Sequence, residues 1–374
     1  MRICSPQLGL SPEATLGGEV YDREILSRIA GMGAQVHVLL PAGLACVESP
    51  GLAITRIPLR RGYRWFVSNP VFFAALGRIY RHTPFDLLRV HSLRFTGSAA
   101  LAARAALGIH VPVVAHHHHI DLDRWSNVID ASVARRCDMI ITGSRYSQRE
   151  LMTSFGVPGE LIKVVSYGVP ASLRPQTRDE LLAQRLGVRG KRAILYLGSL
   201  SVRKNLTTLL EAFAQVHARS PDTLLILAGQ GPLKAFLQAK AADLGLAKAV
   251  IFPGSIPEAE KVTWYNLADL FVHPSRLEGF GLVAAEAMAC GKAVVASRAG
   301  ALPEVVVDGE TGLLFDPDDS MELAYRIEQL LADRALRERM GQAGRERVLQ
   351  HFQWEESARQ VLSIYKDLVK RWAG

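Results

Sequence analysis

The sequence predicts an α/β chain with two domains, each built on a parallel sheet with helices on both faces. Three observations lead to this prediction. Short apolar runs alternate with longer segments of helical periodicity along the 374 residues. This length exceeds the usual size of one domain. The proline-broken segment Leu173–Pro175 and the polar stretch Gln176–Lys191 separate two sets of apolar runs, which predicts a boundary near residues 170–190.

The predicted strands are short apolar runs that occur on both sides of this boundary. In the first half they are 36–40, 87–90, 111–115, 139–141 and 163–165, and in the second half 193–197, 224–228, 250–252, 270–272 and 293–296. Between the second-half strands, Leu206–His217 has apolar residues at helical spacing. A final amphipathic helix is predicted over Trp354–Trp372. This alternation indicates two Rossmann-like domains.

Charge is unevenly distributed between the two halves. Lys and Arg number 44 against 36 Asp and Glu, a formal net charge of +8; residues 1–170 hold 18 of these cations and 12 of the anions, a net +6. A basic first half favours phosphate-bearing partners or an anionic surface. The imbalance is too mild and scattered to indicate a nucleic-acid partner.

Several classes of protein are excluded by pattern. There is no apolar run of about 18 residues or more, so no membrane-spanning helix is expected. The start is broken by Pro6 too early to resemble a secretory signal. Cys4, Cys46, Cys137 and Cys290 match neither a metal-binding spacing nor a disulfide framework. These features predict a cytoplasmic protein.

Small residues follow every predicted strand of the second half. The turns are Gly198-Ser199, Gly229-Gln230-Gly231-Pro232, Pro253-Gly254-Ser255, His273-Pro274-Ser275 and Ser297-Arg298-Ala299-Gly300. Ordinary turn chemistry explains any one of them alone. Open α/β sheets bind ligands at the carboxyl ends of their strands, and small residues let the backbone approach a ligand there. Five such turns in succession therefore predict a binding crevice.

The most informative segment runs from Pro274 to Gly291. A glycine-rich turn leads into a helix near Gly281, whose N-terminus is suited to a phosphate. Glu286 is the only charged residue between Leu282 and Cys290. It either faces the surface or caps a loop, or it accepts hydrogen bonds from paired ligand hydroxyls such as those of a ribose. Glu278, on the turn, could accept from sugar hydroxyls.

A second anion-binding element is predicted over Gly198–Leu206, where a strand also leads into a helix. Arg203 and Lys204 stand at the beginning of that helix, where cations oppose the helix dipole. A clamp on a phosphate therefore explains the two cations better than a solvated pair does.

These segments resemble the retaining GT-B glycosyltransferases of family 4, also called glycosyl transferases group 1. Glu278 and Glu286 match the paired-glutamate (EX7E) motif of that family. Gly198–Asn205 resembles its donor-phosphate loop, Ala299–Glu304 its Gly-x-x-Pro-Glu segment and Thr311–Leu314 the strand that follows. The arginine that is common after the first glycine of the phosphate loop is Ser199 here. This departure leaves the diphosphate to Arg203 and Lys204.

The resemblance implies a GT-B fold with two Rossmann-like domains facing a central crevice. The expected division is an acceptor-side domain at 1–170, a domain at 171–352 that binds the sugar nucleotide, and a C-terminal helix at 353–374 that crosses back onto the first domain. It implies a retaining hexosyltransferase that needs no metal or other cofactor. Asp121-Leu122-Asp123 has the spacing of a metal motif but lies in the other domain.

The resemblance also implies the roles of individual residues. Glu286 would hold the ribose, Glu278 the transferred hexose, and the loop of Gly254, Ser255 and Ile256 the base. The leaving diphosphate would meet Arg203, Lys204 and the backbone amides around the glycine-rich turn. The full set of expected donor-binding residues is Gly17, Gly18, Ser199, Gly254, Ser255, Ile256, Gly279, Phe280, Gly281, Leu282 and Glu286, with Gly17 and Gly18 in a double-glycine loop that could equally be a flexible turn.

Four consecutive histidines, His116 to His119, directly follow a predicted strand. In the family, an essential histidine ends this strand near the anomeric carbon. His118 has the best register for that role and His117 the second best. Strand alternation would place His116 and His118 on one side. A zinc site is the alternative, but contiguous histidines cannot all face one ion and no cysteine is nearby.

Other partners and activities remain open from the sequence. Gly229-Gln230-Gly231 lacks the third glycine of a dinucleotide fingerprint, since Lys234 occupies that position, so NAD is not expected. A sugar-nucleotide 2-epimerase or a non-catalytic sugar-nucleotide binder would keep similar phosphate loops. The resemblance of the phosphate loop to that of mannosyl-transferring family members favours GDP-mannose over a UDP-sugar as donor. The acceptor could be a glycan, a lipid-linked sugar or a small molecule.

The segment Arg56–Phe66 interleaves four arginines with three aromatic residues. It is interpreted either as a solvated loop with buried aromatic rings or as a peripheral contact with an anionic membrane surface. A phosphate-bearing acceptor could also bind there.

Overall fold

The computed structural model describes residues 1–14, 17–59, 65–118 and 124–373 of the chain. These residues form two compact units. The first comprises Met1–Tyr167 together with Trp354–Gly374, and the second comprises Gly168–Gln353. The first unit contains a seven-stranded parallel sheet and the second a six-stranded parallel sheet.

The strands follow the apolar runs closely, because a parallel sheet covered on both faces needs apolar side chains on both sides of each strand. They are β1 Arg2–Pro6, β2 Gln35–Pro41, β3 Leu52–Ile57, β4 Leu87–Val90, β5 Val113–His117, β6 Met139–Thr142 and β7 Ile162–Val164 in the first unit, and β8 Arg192–Leu197, β9 Thr223–Ala228, β10 Val250–Gly254, β11 Leu270–His273, β12 Ala293–Ser297 and β13 Gly312–Phe315 in the second.

The α-helices are α1 Gly17–Gly31, α2 Trp65–His82, α3 Ser98–Ala106, α4 Arg124–Ala134, α5 Arg145–Phe155, α6 Glu180–Arg185, α7 Leu206–Arg219, α8 Lys234–Asp243, α9 Lys261–Leu267, α10 Leu282–Ala289, α11 Leu302–Val305, α12 Ser320–Ala332, α13 Arg334–His351 and α14 Trp354–Ala373. A π-helical segment Leu93–Gly97 precedes α3, and 3-10 turns span Gly159–Leu161, Val202–Lys204 and Glu258–Glu260. In these ranges, no helix is long and apolar enough to span a bilayer.

Both sheets reverse their winding direction beside their first strand. The strand order is β3-β2-β1-β4-β5-β6-β7 in the first sheet and β10-β9-β8-β11-β12-β13 in the second. The switch points therefore lie between β1 and β4 and between β8 and β11. Ligands of open α/β sheets bind outside the carboxyl ends of the strands at such points.

The apolar runs do not predict β3, which is one of the two edge strands of the first sheet. Five of its six residues are partly buried or exposed, so it lacks a continuous apolar run. Arg56, the start of the basic aromatic segment interpreted as a loop, belongs to this strand, and its Nη1 donates to Leu44 O at 2.5 Å. That part of the loop interpretation is wrong. Residues 60–64 of the same segment lie outside the described residues.

The C-terminal helix α14 packs in the first unit. Its buried residues recur at helical spacing: Trp354, Ser357, Ala358, Val361, Leu362, Tyr365 and Leu368. Ser357 Oγ donates to Ser166 O at 2.7 Å, and Arg28 Nε of α1 donates to Glu355 at 2.9 Å. The helix thus completes the core of the unit that contains the chain's first strands.

Two tryptophans of α14 differ sharply in burial, which makes them a matched pair for a stability test. Trp354 is fully buried, whereas Trp372 is 42% exposed and contacts Arg104 through its ring. We expect Trp354→Ala to lower the free energy of unfolding by about 3–5 kcal/mol, because a large core cavity remains. Trp372→Ala should cost less than about 1 kcal/mol. Urea unfolding followed by circular dichroism measures both, and equal losses would contradict this packing.

Candidate active site

The loops after β8 and β9 touch each other through glycine. Gly229 has φ +141°, and a Cβ atom there would lie 1.8 Å from the carbonyl oxygen of Gly198. Only glycine allows so close an approach of two backbone segments. Tyr196, at the end of β8, donates from its hydroxyl to Ser199 O at 2.8 Å. The predicted phosphate loop is therefore held by a hydrogen bond from the end of β8 and by close backbone contact with the loop after β9.

The two cations of this loop stand on a 3-10 turn, Val202–Lys204, just before α7. Asn205 follows with φ +56°, the only positive φ of a non-glycine residue in the described part of the chain. Its side chain compensates for this conformation. Asn205 Nδ2 donates to Pro317 O at 2.7 Å, and its Oδ1 accepts from Thr208 Oγ1 at 2.9 Å. These bonds fix the backbone directly after Arg203 and Lys204 and so help to position the two side chains.

Glu278 meets these cations from the turn after β11. Lys204 Nζ donates to Glu278 Oε2 at 2.5 Å, His273 Nε2 lies 2.9 Å from the same oxygen, and Arg203 Nη1 lies 3.9 Å from Oε1. Burial alone would raise the pKa of Glu278, but Lys204 and His273 outweigh it and hold that pKa well below its usual range. Glu278 is therefore a carboxylate at neutral pH. Burial also lowers the pKa of Lys204, although Glu278 opposes this effect.

The Ala299–Glu304 segment packs directly on the backbone of Glu278. Ala301 N donates to Glu278 O at 2.9 Å. Gly300 has φ +58°, and a Cβ atom there would lie 2.4 Å from the same oxygen. A side chain at position 300 would push the Glu278 turn away. This contact therefore accounts for the glycine of the Gly-x-x-Pro-Glu segment in this chain.

Helix α10 begins directly after the glycine-rich turn. Gly281, with φ +98°, forms its N-cap, and its carbonyl accepts from Ala284 N and Ala285 N. The amides ahead of these bonds belong to the first turn of the helix, where intrahelical acceptors are lacking. Phe280 is buried against Phe352, edge to face at 5.5 Å. The turn with Gly279, Phe280, Gly281 and Leu282 thus rests on a packed base at the start of α10.

Glu286 lies inside the second unit, with 1% of its surface exposed, so a surface-facing side chain is excluded. Its carboxylate accepts from Lys261 Nζ at 3.1 and 3.2 Å and from the Tyr265 hydroxyl at 2.6 Å. Lys261 also contacts Glu258 at 2.9 Å. Burial raises the pKa of Glu286, although Lys261 lowers it. Lys261 and Tyr265 of α9 thus compensate the charge of Glu286 inside the apolar helix α10.

The predicted base-binding loop leads into α9. Gly254 ends β10 and accepts from Gly229 N at 2.7 Å, while Ile256 is buried and Ser255 is exposed. The 3-10 turn Glu258–Glu260 follows, and then Lys261 and Tyr265, the partners of Glu286. One continuous segment therefore connects Gly254, Ser255 and Ile256 to the glutamate expected to hold the ribose.

The histidines alternate along the end of β5 as a strand requires. His116 and His118 lie on one side with ring centroids 6.0 Å apart, whereas the ring of His117 contacts Phe155 on the other side. His118 Nδ1 lies 2.5 Å from the Tyr167 hydroxyl, and its side chain is 1% exposed. Burial lowers the pKa of His118 to about 4, although Asp22 opposes this effect. The ring is therefore neutral at physiological pH. His119 and Asp121–Asp123 lie outside the described residues.

Behind His118 lies a buried ion pair that the sequence analysis did not identify. Asp22 of α1 accepts from Arg89 of β4, and both side chains have no exposed surface. His91 Nδ1 contacts the same carboxylate, and His118 Nε2 lies 3.7 Å from it. Burial would raise the pKa of Asp22, but Arg89 and His91 hold it well below its usual range. One carboxylate thus lies beside two imidazoles, in contact with His91 and 3.7 Å from His118.

The ligand atoms of Asp22, His91 and His118 all lie within 4.8 Å of one another, a spacing that a metal ion could use. Arg89 already donates to Asp22 from full burial. A dication bound there would meet this guanidinium at close range. The arrangement therefore suits a carboxylate compensated by Arg89 better than a metal ion.

Gly17 and Gly18 form the first residues of α1. Glu19, in the first turn, accepts from Ser11 N at 2.8 Å and so ties the helix start to the chain that follows β1. Residues 15 and 16, which precede the two glycines, lie outside the described residues.

The structure brings some of the predicted site residues together and not others. Arg203, Lys204 and Glu278 form one cluster of the second unit, and the Gly254–Ile256 loop leads to Glu286 in the same unit. Gly17, Gly18 and His118 belong to the first unit. Sequence reasoning did not identify His273, Lys261, Tyr265, Asp22, Arg89 and His91. One signal was available, because Arg89 is a lone charge inside an otherwise apolar strand and such a charge needs a buried partner.

Comparison with known families covers most of the chain. Residues 178–347 match the family described as Glycosyl transferases group 1, and residues 16–173 match Glycosyltransferase Family 4. The chain belongs to glycosyltransferase family 4. It is a glycosyltransferase with a GT-B-type architecture, so the recognition, the fold class and the enzyme class predicted from the sequence are confirmed.

Two curated relatives of this chain are named as mannosyltransferases. A GDP-mannose-dependent alpha-(1-6)-phosphatidylinositol monomannoside mannosyltransferase of Mycolicibacterium smegmatis is 33% identical over 71% of this chain and 73% of its own length. An MMP alpha-(1->4)-mannosyltransferase of Mycolicibacterium hassiacum is 30% identical over 96% of each chain.

Solved structures share the fold at lower identity. Sucrose-phosphate synthase from Thermosynechococcus elongatus has a TM-score of 0.86 and 24% identity over 99% of both chains. Anabaena HepE in complex with UDP-glucose has a TM-score of 0.82 and 23% identity, and the match covers 98% of this chain and 100% of HepE.

The burial of the Asp22–Arg89 pair predicts how substitutions of these residues change the free energy of unfolding. Asp22→Ala leaves the Arg89 guanidinium uncompensated in the core and should lower the free energy of unfolding by about 3–5 kcal/mol. The double variant Asp22→Leu with Arg89→Met removes both charges and should recover most of this loss. Urea unfolding measures all three proteins. A double variant as unstable as Asp22→Ala would show that the loss does not come from the unpaired charge.

Proposed function

We propose that this glycosyltransferase moves a hexose from a nucleotide-diphosphate sugar to a hydroxyl of a glycan, lipid-linked or small-molecule acceptor, with retention of anomeric configuration and without a metal. The observation that carries the proposal is the contact of Lys204 with Glu278 beside Arg203. It joins the cations suited to a diphosphate and the carboxylate suited to a sugar at one edge of one sheet.

Arg203 and Lys204 supply the charge for the leaving group. Sugar transfer leaves negative charge on the departing diphosphate, and preorganised donors aimed at that charge supply a large part of catalysis. Lys204 has three N–H donors, so it can keep one on Glu278 and offer others to a phosphate oxygen. The backbone amides of Phe280 to Leu282 add uncharged donors at the start of α10.

Glu278 has one oxygen to offer to the donor sugar. Its Oε2 is engaged by Lys204 and His273. Its side chain is 14% exposed, and Oε1 accepts no hydrogen bond within the described ranges of the chain. A carboxylate oxygen in this position is a strong acceptor for a sugar hydroxyl.

Glu286 is proposed to hold the ribose of the nucleotide. Lys261 and Tyr265 donate three hydrogen bonds to its carboxylate, which has about four acceptor positions. One position remains for a ribose hydroxyl. The loop of Gly254, Ser255 and Ile256, which leads into α9, would contact the base.

The donor proposal favours GDP-mannose over a UDP-sugar. The Mycolicibacterium smegmatis relative is named as GDP-mannose-dependent, and the Mycolicibacterium hassiacum relative is a mannosyltransferase. A UDP-sugar is the alternative, since HepE, which shares the fold, was solved with UDP-glucose. The phosphatidylinositol acceptor named for the first relative supports a lipid-linked acceptor and, with it, peripheral contact with an anionic membrane surface.

Chemically, the acceptor oxygen would attack the anomeric carbon from the face of the leaving group as the bond to the phosphate oxygen breaks. A phosphate oxygen of the leaving group would take the acceptor's proton. The resemblance assigns to His118 the positioning of the donor sugar, and its neutral ring suits hydrogen bonding. Arg203 and Lys204 would take over the charge neutralisation that a metal supplies in other transferases.

The nucleotide site is tested with thermal unfolding in GDP and UDP. We expect at least one nucleoside diphosphate to raise the unfolding temperature of the wild type. Glu286→Ala should abolish this shift, because the ribose acceptor is lost. Glu286→Gln, which keeps the size of the side chain, provides a folded control if the alanine variant is unstable. Equal shifts in the variants and the wild type would remove Glu286 from the site.

The reaction class is tested by incubation with radiolabelled GDP- and UDP-sugars, with and without EDTA. A transferase should release free sugar slowly in the absence of acceptor, with the anomeric configuration retained and the rate unchanged by the chelator. Glu278→Gln should slow this release at least about tenfold, through the loss of a charged acceptor. Interconversion of sugar isomers would indicate an epimerase, and loss of activity in EDTA would overturn metal independence.

A further inference from the structure

We propose that His273 is a positioning residue for sugar recognition: it fixes Oε2 of Glu278 so that Oε1 faces a hydroxyl of the donor sugar. This inference deepens the proposed function and rests on the role of Glu278 as the sugar acceptor group. His273 lies outside the paired-glutamate segment, and the sequence analysis treated it only as part of a turn.

The contact joins the end of a central strand to the turn that follows it. His273 is the last residue of β11, which lies between β8 and β12 in the middle of the second sheet. Its side chain has no exposed surface, and its Nε2 lies 2.9 Å from Glu278 Oε2. The strand thus provides a fixed reference point for a carboxylate five residues further along the chain.

The imidazole itself has little freedom to move. Phe271 lies two residues earlier on the same face of β11, with ring centroids 6.2 Å apart and ring planes 15° apart. Tyr196, on the neighbouring strand β8, lies 6.4 Å away with the same angle between the planes. The buried Ser275 Oγ is 3.3 Å from His273 Nε2. This row of rings and the adjacent hydroxyl leave the imidazole one orientation.

The direction of the hydrogen bond follows from the chemistry of the pair. An ionised carboxylate only accepts hydrogen bonds, so the proton of a neutral His273 must reside on Nε2. His273 Nδ1 is buried without a hydrogen-bond partner in the part of the chain that the structure describes. Burial lowers the pKa of His273, although Glu278 opposes this effect, and the ring stays neutral. The histidine therefore donates to Glu278 without adding charge.

The two donors on Oε2 have different tasks in this arrangement. Lys204 has a long, flexible side chain and is the group proposed to meet the diphosphate. His273 cannot follow it, since its ring is packed on both sides. When Lys204 turns part of its charge towards a phosphate, His273 still holds Oε2. The orientation of Glu278 thereby becomes independent of where the lysine points.

His273→Leu and His273→Gln form a matched pair for the test. Leucine fills the space without a donor, whereas the glutamine amide can place an N–H near the position of Nε2. We measure the affinity for GDP and UDP, which carry the ribose but no hexose to transfer, and then KM and kcat for sugar release from the labelled donor. His273→Phe, which keeps an aromatic ring, replaces the leucine variant if that variant does not fold.

For His273→Leu we expect nucleoside-diphosphate affinity within about twofold of the wild type, but kcat/KM lower by about ten- to a hundredfold, the effect of losing one hydrogen bond to a charged group. His273→Gln should recover most of this loss. In a Glu278→Gln background, His273→Leu should add little, because it acts through Glu278.

Three results would overturn the inference: an unchanged kcat/KM in His273→Leu, equal losses in the leucine and glutamine variants, or full additivity with Glu278→Gln. Each of these leaves the proposed function intact if the wild type binds and cleaves sugar nucleotides. A wild type that binds no nucleotide sugar would overturn both.

Discussion

The geometry of the candidate site in the second unit depends on one carboxylate, Glu278, which is largely shielded from water between an ammonium group and an imidazole. Glu278 can stay ionised there only because Lys204 and His273 both donate to its Oε2. Each partner comes from a different segment, the loop before α7 and the end of β11. Gly300 packs on the glutamate's backbone and adds a third segment. A single compensated charge therefore fixes the relative positions of the turns that would contact the donor.

The first unit uses the same physical device at the edge of its own sheet. Asp22 and Arg89 are fully buried and compensate each other, and the carboxylate also contacts His91 and lies 3.7 Å from His118. Such pairs contribute little net stability compared with apolar residues of the same volume, because taking both charges out of water costs about as much as their attraction returns. What they contribute is geometry, since each hydrogen bond has a preferred direction and length.

With these contacts, separate groups of the protein are positioned to bind separate parts of the donor. In the proposed function, Arg203, Lys204 and the start of α10 take the diphosphate, Glu278 takes the sugar, and Glu286 takes the ribose. Glu286 is itself compensated by Lys261 and Tyr265 from α9. The donor would therefore meet acidic groups that are already oriented, so little reorganisation is needed during the reaction. Membership of glycosyltransferase family 4 is consistent with this division.

The sequence by itself determined the fold class, most of the strands and the local loops. Strands buried on both faces appear as apolar runs, and the phosphate loop and the glycine-rich turn are contiguous segments whose function depends on neighbouring residues. Only the tertiary structure decided which side chains compensate each other. Lys204 and Glu278 are 74 residues apart, Asp22 and Arg89 are 67 apart, and Lys261 and Glu286 are 25 apart. Such contacts depend on strand order and register, which bring distant residues to one sheet edge and leave no periodic trace in the chain. The edge strand β3 was missed for a related reason. Most of its residues are only partly covered by the rest of the first unit, so they do not form the continuous apolar run by which buried strands were predicted.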